Sequence, residues 1–139
     1  MQETNRALAT YRLAQAHERL KAAKILFKAG SYKDSISRSY YAMFSAARAL
    51  LATKSLDAQK HSGVISLFHQ HFVKEGAVEK KLGKMIAEAK GIREESDYGD
   101  YVQFSLEEAG AQIDHAEIFI AEIERVVKRG DSTIAEKGR

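Results

Sequence analysis

One stretch, Ser31 to Leu51 (SYKDSISRSYYAMFSAARALL), constrains the fold more than any other. Read as a helix, it places Tyr32, Ile36, Tyr40, Met43, Phe44, Ala47, Leu50 and Leu51 at three- and four-residue steps, in one apolar stripe. Arg38, Tyr41, Ser45 and Arg48 run beside that stripe at the same steps and make a polar, basic edge. A stripe of this width has to be buried on several neighbours. The segment is therefore expected at the centre of a helical bundle, with its edge facing a groove between helices.

The remaining sequence supplies the neighbours. The 139 residues contain no Pro to break a helix and no Cys, which removes any disulfide framework, thiolate nucleophile or Cys-based zinc site. A first helix is expected from about Asn5 to Ala29, with Leu13, Ala16, Leu20, Ala23 and Phe27 as its seam and Arg12 off it; Gly30 is its C-cap. Ser31 and Asp34 read as a short capping box for the second helix, which ends near Thr53. Asp57 reads as the N-cap of a third helix carrying Val64, Leu67, Phe68 and Phe72 inward and closed by Gly76. A fourth runs from about Ala77 to Glu95, with Val78, Leu82, Met85, Ile86, Ala89 and Ile92 buried. The polar run Arg93 to Tyr101 is expected to turn the chain. A fifth helix then extends to about Lys128 on the heptad Leu106, Ala109, Ile113, Ala116, Ile120, Ile123, Val127. The expected fold is all-α: an up-and-down bundle of four long helices plus a shorter one, as a single domain over residues 1–130 with a mobile tail at 131–139.

Charge is unevenly placed. Residues 1–54 carry a net +7 and residues 55–139 a net −4. This fits either basic helices packed against acidic ones or a basic surface for an anionic partner. The N-terminus lacks the basic-then-apolar pattern of a signal peptide and no apolar run spans a bilayer, so a cytoplasmic chain with no membrane partner is expected.

Candidate chemistry is sparse. His69 and His71 are two apart on a helix and point away from each other, and His17 and His115 stand alone, so no metal site is expected. Lys60-His61-Ser62-Gly63 sits at a loop-to-helix junction, where free N–H groups and small residues suit an anion. Arg93, Asp97, Tyr98 and Tyr101 form the densest polar cluster. Arg93 either pairs with a neighbouring carboxylate such as Asp97 at i+4 or lines a groove with Tyr41 and Arg38. No glycine-rich phosphate loop, GxSxG motif or cofactor signature is present.

The run Arg38 to Leu51 (RSYYAMFSAARALL), followed by Lys60-His61-Ser62-Gly63-Val64-Ile65 and then Arg93-x-x-Ser96-Asp97-Tyr98, resembles the HEPN family, in its small stand-alone prokaryotic branch. The resemblance covers about Leu13 to Val127. It implies a helical bundle that forms a homodimer, often encoded beside a small nucleotidyltransferase as a toxin and antitoxin, the HEPN member cleaving RNA. Such nucleases carry an Arg, four to six residues, then a His. Here the residue after that four-residue gap is Tyr98, and no His lies between Arg93 and His115. Three readings follow. The first is a HEPN-like module that binds nucleotide, RNA or a nucleotidyltransferase partner through Arg38, Tyr41, His61, Arg93, Asp97 and Tyr98. The second is a metal-independent RNase toxin with a rearranged site, in which Arg93 stabilises the phosphorane and His61 or Tyr98 moves the proton. The third is a helical scaffold without a ligand.

Overall fold

In the computed structural model, which describes the backbone of residues 1–137 and side chains as far as Gly130, five α-helices follow one another. They are α1 (Glu3–Lys28), α2 (Tyr32–Ala52), α3 (His61–Phe68), α4 (Lys80–Tyr98) and α5 (Leu106–Lys137). A π-helical turn, His69–Val73, carries α3 onward. The described residues contain no strand.

α2 is the hub. Among the described residues it alone packs against all four other helices. Its stripe is buried from Ile36 through Tyr40, Met43, Phe44 and Ala47 to Leu50 and Leu51. The run Ala46, Ala47, Ala49 is fully buried as well, because alanines let neighbouring helix backbones come close. α1 turns back along α2 through Gly30 at φ +80, the left-handed conformation that glycine adopts without strain. On α5, Ala109, Ile113, Ala116, Phe119, Ile120, Ile123 and Val127 close the core, while Leu106 at the head of that heptad is half exposed.

Several local expectations are corrected. Ser31 occupies the N-cap position of α2 but its hydroxyl caps nothing. The reciprocal capping box stands at Ser105 and Glu108 instead: the Glu108 N–H donates to Ser105 Oγ at 3.1 Å, and the Ser105 N–H donates to Glu108 Oε1 at 3.3 Å. The N-cap of α3 is Lys60, not Asp57. The run from Arg93 does not break α4, which continues to Tyr98 before the chain turns at Gly99. Two i,i+4 ion pairs, Lys90–Glu94 at 2.6 Å and Arg93–Asp97 at 3.0 Å, support that last stretch. The backbone of α5 passes Lys128 and reaches Lys137. The tail expected at 131–139 lies outside the residues whose side chains are described.

Arg12 is the largest surprise on α1. It is 7% exposed, and Ala9, Arg12 and Ala16 are buried in sequence at three- and four-residue steps. Its Nη1 donates to the Arg48 carbonyl at 3.1 Å and its Nη2 to Asp57 at 3.2 Å, where Arg48 also donates at 3.1 Å. Burial alone would push the Asp57 carboxyl up. The Ala58 N–H, the Arg48 hydrogen bond and the Arg48 and Arg12 charges outweigh it and hold that carboxyl below its ordinary value. Together they tie the segment between α2 and α3 to the bundle. Arg12→Ala is expected to cost about 2 kcal/mol in urea unfolding, the scale of a charge-assisted hydrogen bond in a buried setting. Arg12→Lys is expected to recover little, because an ammonium cannot reproduce the fork. A loss below about 0.5 kcal/mol for Arg12→Ala would show the fork to be dispensable.

Other pairs also join the basic and acidic parts. Lys24 meets Glu117 at 2.9 Å, Lys54 meets Glu75 at 3.3 Å, and His17 meets Glu124. Much of the charge asymmetry read from the sequence is thus complementarity inside the molecule.

Candidate functional site

Three elements deliver side chains to one place beside α2. α2 contributes Tyr40, Tyr41, Phe44 and Arg48 from its stripe and edge. The first residue of α3 contributes His61. α4 contributes Lys90, Arg93 and Asp97, spaced so that they share a helix face.

Tyr41 stands in the middle. The Arg93 guanidinium lies 4.9 Å from the centre of the Tyr41 ring and 5.7 Å from that of Tyr40. The His61 ring meets the Tyr41 ring edge-on at 5.7 Å and lies 4.3 Å from the Phe44 ring. The aromatic side chains thus hold both an imidazole and a guanidinium, and the negative ring faces favour the cation. His61 Nδ1 and the Tyr40 hydroxyl are hydrogen-bonded at 3.2 Å, which leaves His61 Nε2 to meet a ligand. Tyr40 is fully buried, and burial pushes its phenol up to about 12 against the opposing pull of Arg93. It therefore keeps its proton at neutral pH. Asp97 engages Arg93 at 3.0 Å, as the i+4 spacing suggested.

The His61 imidazolium is disfavoured by burial first and then by the Arg93, Lys90 and Arg48 charges, so His61 titrates below its ordinary value of 6.5. An unfolded chain takes up that proton near pH 6.5, whereas the folded chain takes it up only at lower pH. Below about pH 6.5 the unfolded state binds more protons, and stability falls as pH drops. His61→Gln is expected to flatten that part of the stability–pH curve. An NMR titration placing His61 at or above 6.5 would contradict the charge arrangement.

A cleft of about 500 Å³ adjoins His61, lined by Phe44, Arg48, Asp57, Ala58, Gln59 and His61 itself. Gly63 does not serve an anion through smallness alone: a Cβ there would meet the Ala58 Cβ at 2.9 Å, so the glycine lets the preceding segment close onto α3. His69 is a packing residue, its Nδ1 bonded to the Ile65 carbonyl at 2.9 Å and its ring against Gly83. Among the described residues no three metal-ligating side chains converge.

Of the six residues singled out in the sequence, Tyr41, His61, Arg93 and Asp97 come together. Arg38 is exposed and lines a separate cavity of about 530 Å³ with Leu26, Asp34, Ser37 and Tyr41, so it adjoins the cluster only through Tyr41. Tyr98, the last residue of α4, is 84% exposed. Sequence reading missed Tyr40, Lys90, Arg12 and the role of Asp57. Tyr40 carried a usable signal, since a phenol in an otherwise aliphatic buried stripe must find a hydrogen-bond partner. Arg12 carried another in its register with Ala9 and Ala16.

The HEPN domain family matches residues 9–126 of this chain. The chain belongs to the HEPN family. A HEPN relative from Methanocaldococcus jannaschii, named "Putative toxin MJ0605", is 42% identical over 113 residues, covering 81% of this chain and 84% of its own. A "UPF0332 protein" from Thermotoga maritima is 40% identical over 114 residues, covering 82% and 86%. A second Methanocaldococcus jannaschii chain, named "Putative toxin MJ0142", is 33% identical over 108 residues, covering 78% and 74%. The HEPN match spans every element that builds the cluster. No helix is long and apolar enough to cross a membrane among the described residues.

Proposed function

We propose that this HEPN chain is a toxin-type module that engages the phosphate groups of RNA or nucleotide at the Arg93–Tyr41–His61 cluster. One observation carries the reading. His61 from α3 and Arg93 from α4, 32 positions apart in the chain, both pack against the same Tyr41 ring. The guanidinium supplies bidentate donors to phosphate, and the rings supply a stacking surface for a base. The toxin names of the two Methanocaldococcus relatives support the biological setting. The homodimer and the nucleotidyltransferase-type partner implied by the HEPN resemblance belong to this reading.

The placement of His61 favours a second, stronger form of it: metal-independent RNA cleavage. An imidazole neutral at pH 7 accepts a proton from a ribose hydroxyl, and Arg93 stabilises charge developing on the phosphoryl oxygens. Incubating the purified protein with total cellular RNA in EDTA tests both forms, with Arg93→Ala and His61→Ala alongside and filter binding as a parallel readout. Cleavage lost in both variants is expected for the nuclease. Binding without cleavage, lost in Arg93→Ala, is expected for the binding module. A folded wild-type protein that neither binds nor cleaves overturns the reading.

A further inference from the structure

The cluster is electrically self-compensated. Arg48, Lys90 and Arg93 all act on His61. Each already holds a carboxylate: Arg48 with Asp57 at 3.1 Å, Lys90 with Glu94 at 2.6 Å and Arg93 with Asp97 at 3.0 Å. A groove that tracks an RNA backbone neutralises phosphates with unpaired Lys and Arg and so releases the counterions condensed on the RNA; these three cations are already paired. An anion that reaches Arg93 has to displace Asp97, a competitor on the same helix and therefore at high effective concentration.

Two kinds of phosphate differ in what they offer such a cluster. An internal phosphodiester bears a single negative charge on two free oxygens and matches a carboxylate in both respects, so it has no advantage over Asp97. A phosphomonoester bears about −1.5 to −2 near neutral pH on three acceptor oxygens. It can take the guanidinium bidentately and still offer an oxygen to a second donor. The Nε–H groups of both Arg48 and Arg93 are buried without a hydrogen-bond partner, so an added acceptor oxygen that reached either would satisfy it. The cleft beside Phe44, Arg48 and His61 has room for the rest of a nucleotide.

We infer that the cluster selects a terminal phosphoryl group, of a mononucleotide or of an RNA end, over an internal phosphodiester, and that Asp97 lowers its affinity for both by competing for Arg93. The inference rests on the reading that the cluster binds RNA or nucleotide phosphate. It makes Asp97 a brake on anion binding, in addition to a residue that holds Arg93 in place.

The test uses one short ribo-oligonucleotide in three forms, with a 5′-phosphate, with a 3′-phosphate and with hydroxyls at both ends, together with a nucleoside 5′-monophosphate. Wild type is expected to bind a phosphorylated form about tenfold more tightly than the hydroxyl form, the scale of an added charge-assisted contact. Asp97→Asn is expected to tighten all forms by a similar factor and to leave the preference near tenfold, as the competitor for the guanidinium is gone for each of them. Glu88→Gln, an exposed change on the same helix with the same change in net charge, should tighten none of them. Equal binding of all three oligonucleotides by wild type overturns the inference and leaves the binding reading standing. So does an Asp97→Asn effect no larger than that of Glu88→Gln. If no probe binds to wild type or to Asp97→Asn, the binding reading falls and the inference with it. A monophosphate that binds as tightly as the phosphorylated oligonucleotide assigns the site to free nucleotide, and a much weaker one assigns it to an RNA end.

Discussion

Arg93→Ala is expected to weaken RNA binding by about a hundredfold, the upper scale for losing hydrogen bonds to a charged group. Any RNA cleavage should vanish with it. Arg93 is the guanidinium seated on the Tyr41 ring, and none of its neighbours duplicates it. Arg48 is committed to Asp57 on the far side of His61, and Lys90 is a point charge without a fork. The fold should survive. Arg93 is partly exposed, and its pair with Asp97 lies along one helix, so that pair contributes well under about 1 kcal/mol. Loss of the ring contacts and the packed stem adds at most about 1 kcal/mol more. Arg93→Lys should resemble alanine in binding because it keeps the charge and loses the bidentate geometry. Filter binding and urea unfolding on the same samples decide the matter. A variant that only unfolds would show Arg93 to be a structural residue.

Phe68→Ala has the largest expected effect on stability, about 3–5 kcal/mol. Phe68 is fully buried at the last turn of α3, with its ring 5.5 Å from Phe119 on α5 and 6.5 Å from Phe72 in the π-helical turn. It is the point where the short third helix is held to the long fifth one. Truncation removes a large apolar area and leaves a cavity that cannot collapse, because both neighbouring helices are anchored on α2. Against a typical domain stability of about 5–15 kcal/mol, the loss is a large share of the total. Phe68→Leu should recover more than half of it. A change below about 1 kcal/mol in urea unfolding would mean that the Phe68–Phe119 contact is not part of the cooperative core.

Local misreadings share a cause. The polar run after Arg93 looked like a turn because it ends the apolar period, yet its charges are spaced four apart and bridge along the helix. Asp57 looked like a cap because it precedes a helix, yet two arginines from α1 and α2 claim its carboxylate. The capping box sat unread at Ser105 and Glu108, where the Ser-x-x-Glu spacing was visible all along. Arg38 was grouped with the site as part of the polar edge of α2, and Tyr98 as part of the polar cluster after Arg93. Tyr98 is exposed, and Arg38 lines a neighbouring cavity that shares Tyr41 with the cluster.

The sequence by itself determined the five helices, the all-α class and the burial of the α2 stripe, because hydrophobic period is a local property that repeats every turn. It also carried the HEPN motifs in order. Only the tertiary structure decided which polar groups meet: Arg12 with Asp57, His61 with Tyr40 and Tyr41, Arg93 with that same tyrosine. Those contacts join residues from 20 to 52 positions apart. They depend on how far each helix is rotated and where it crosses α2, and those variables settle only when apolar faces pack to crystal-like density.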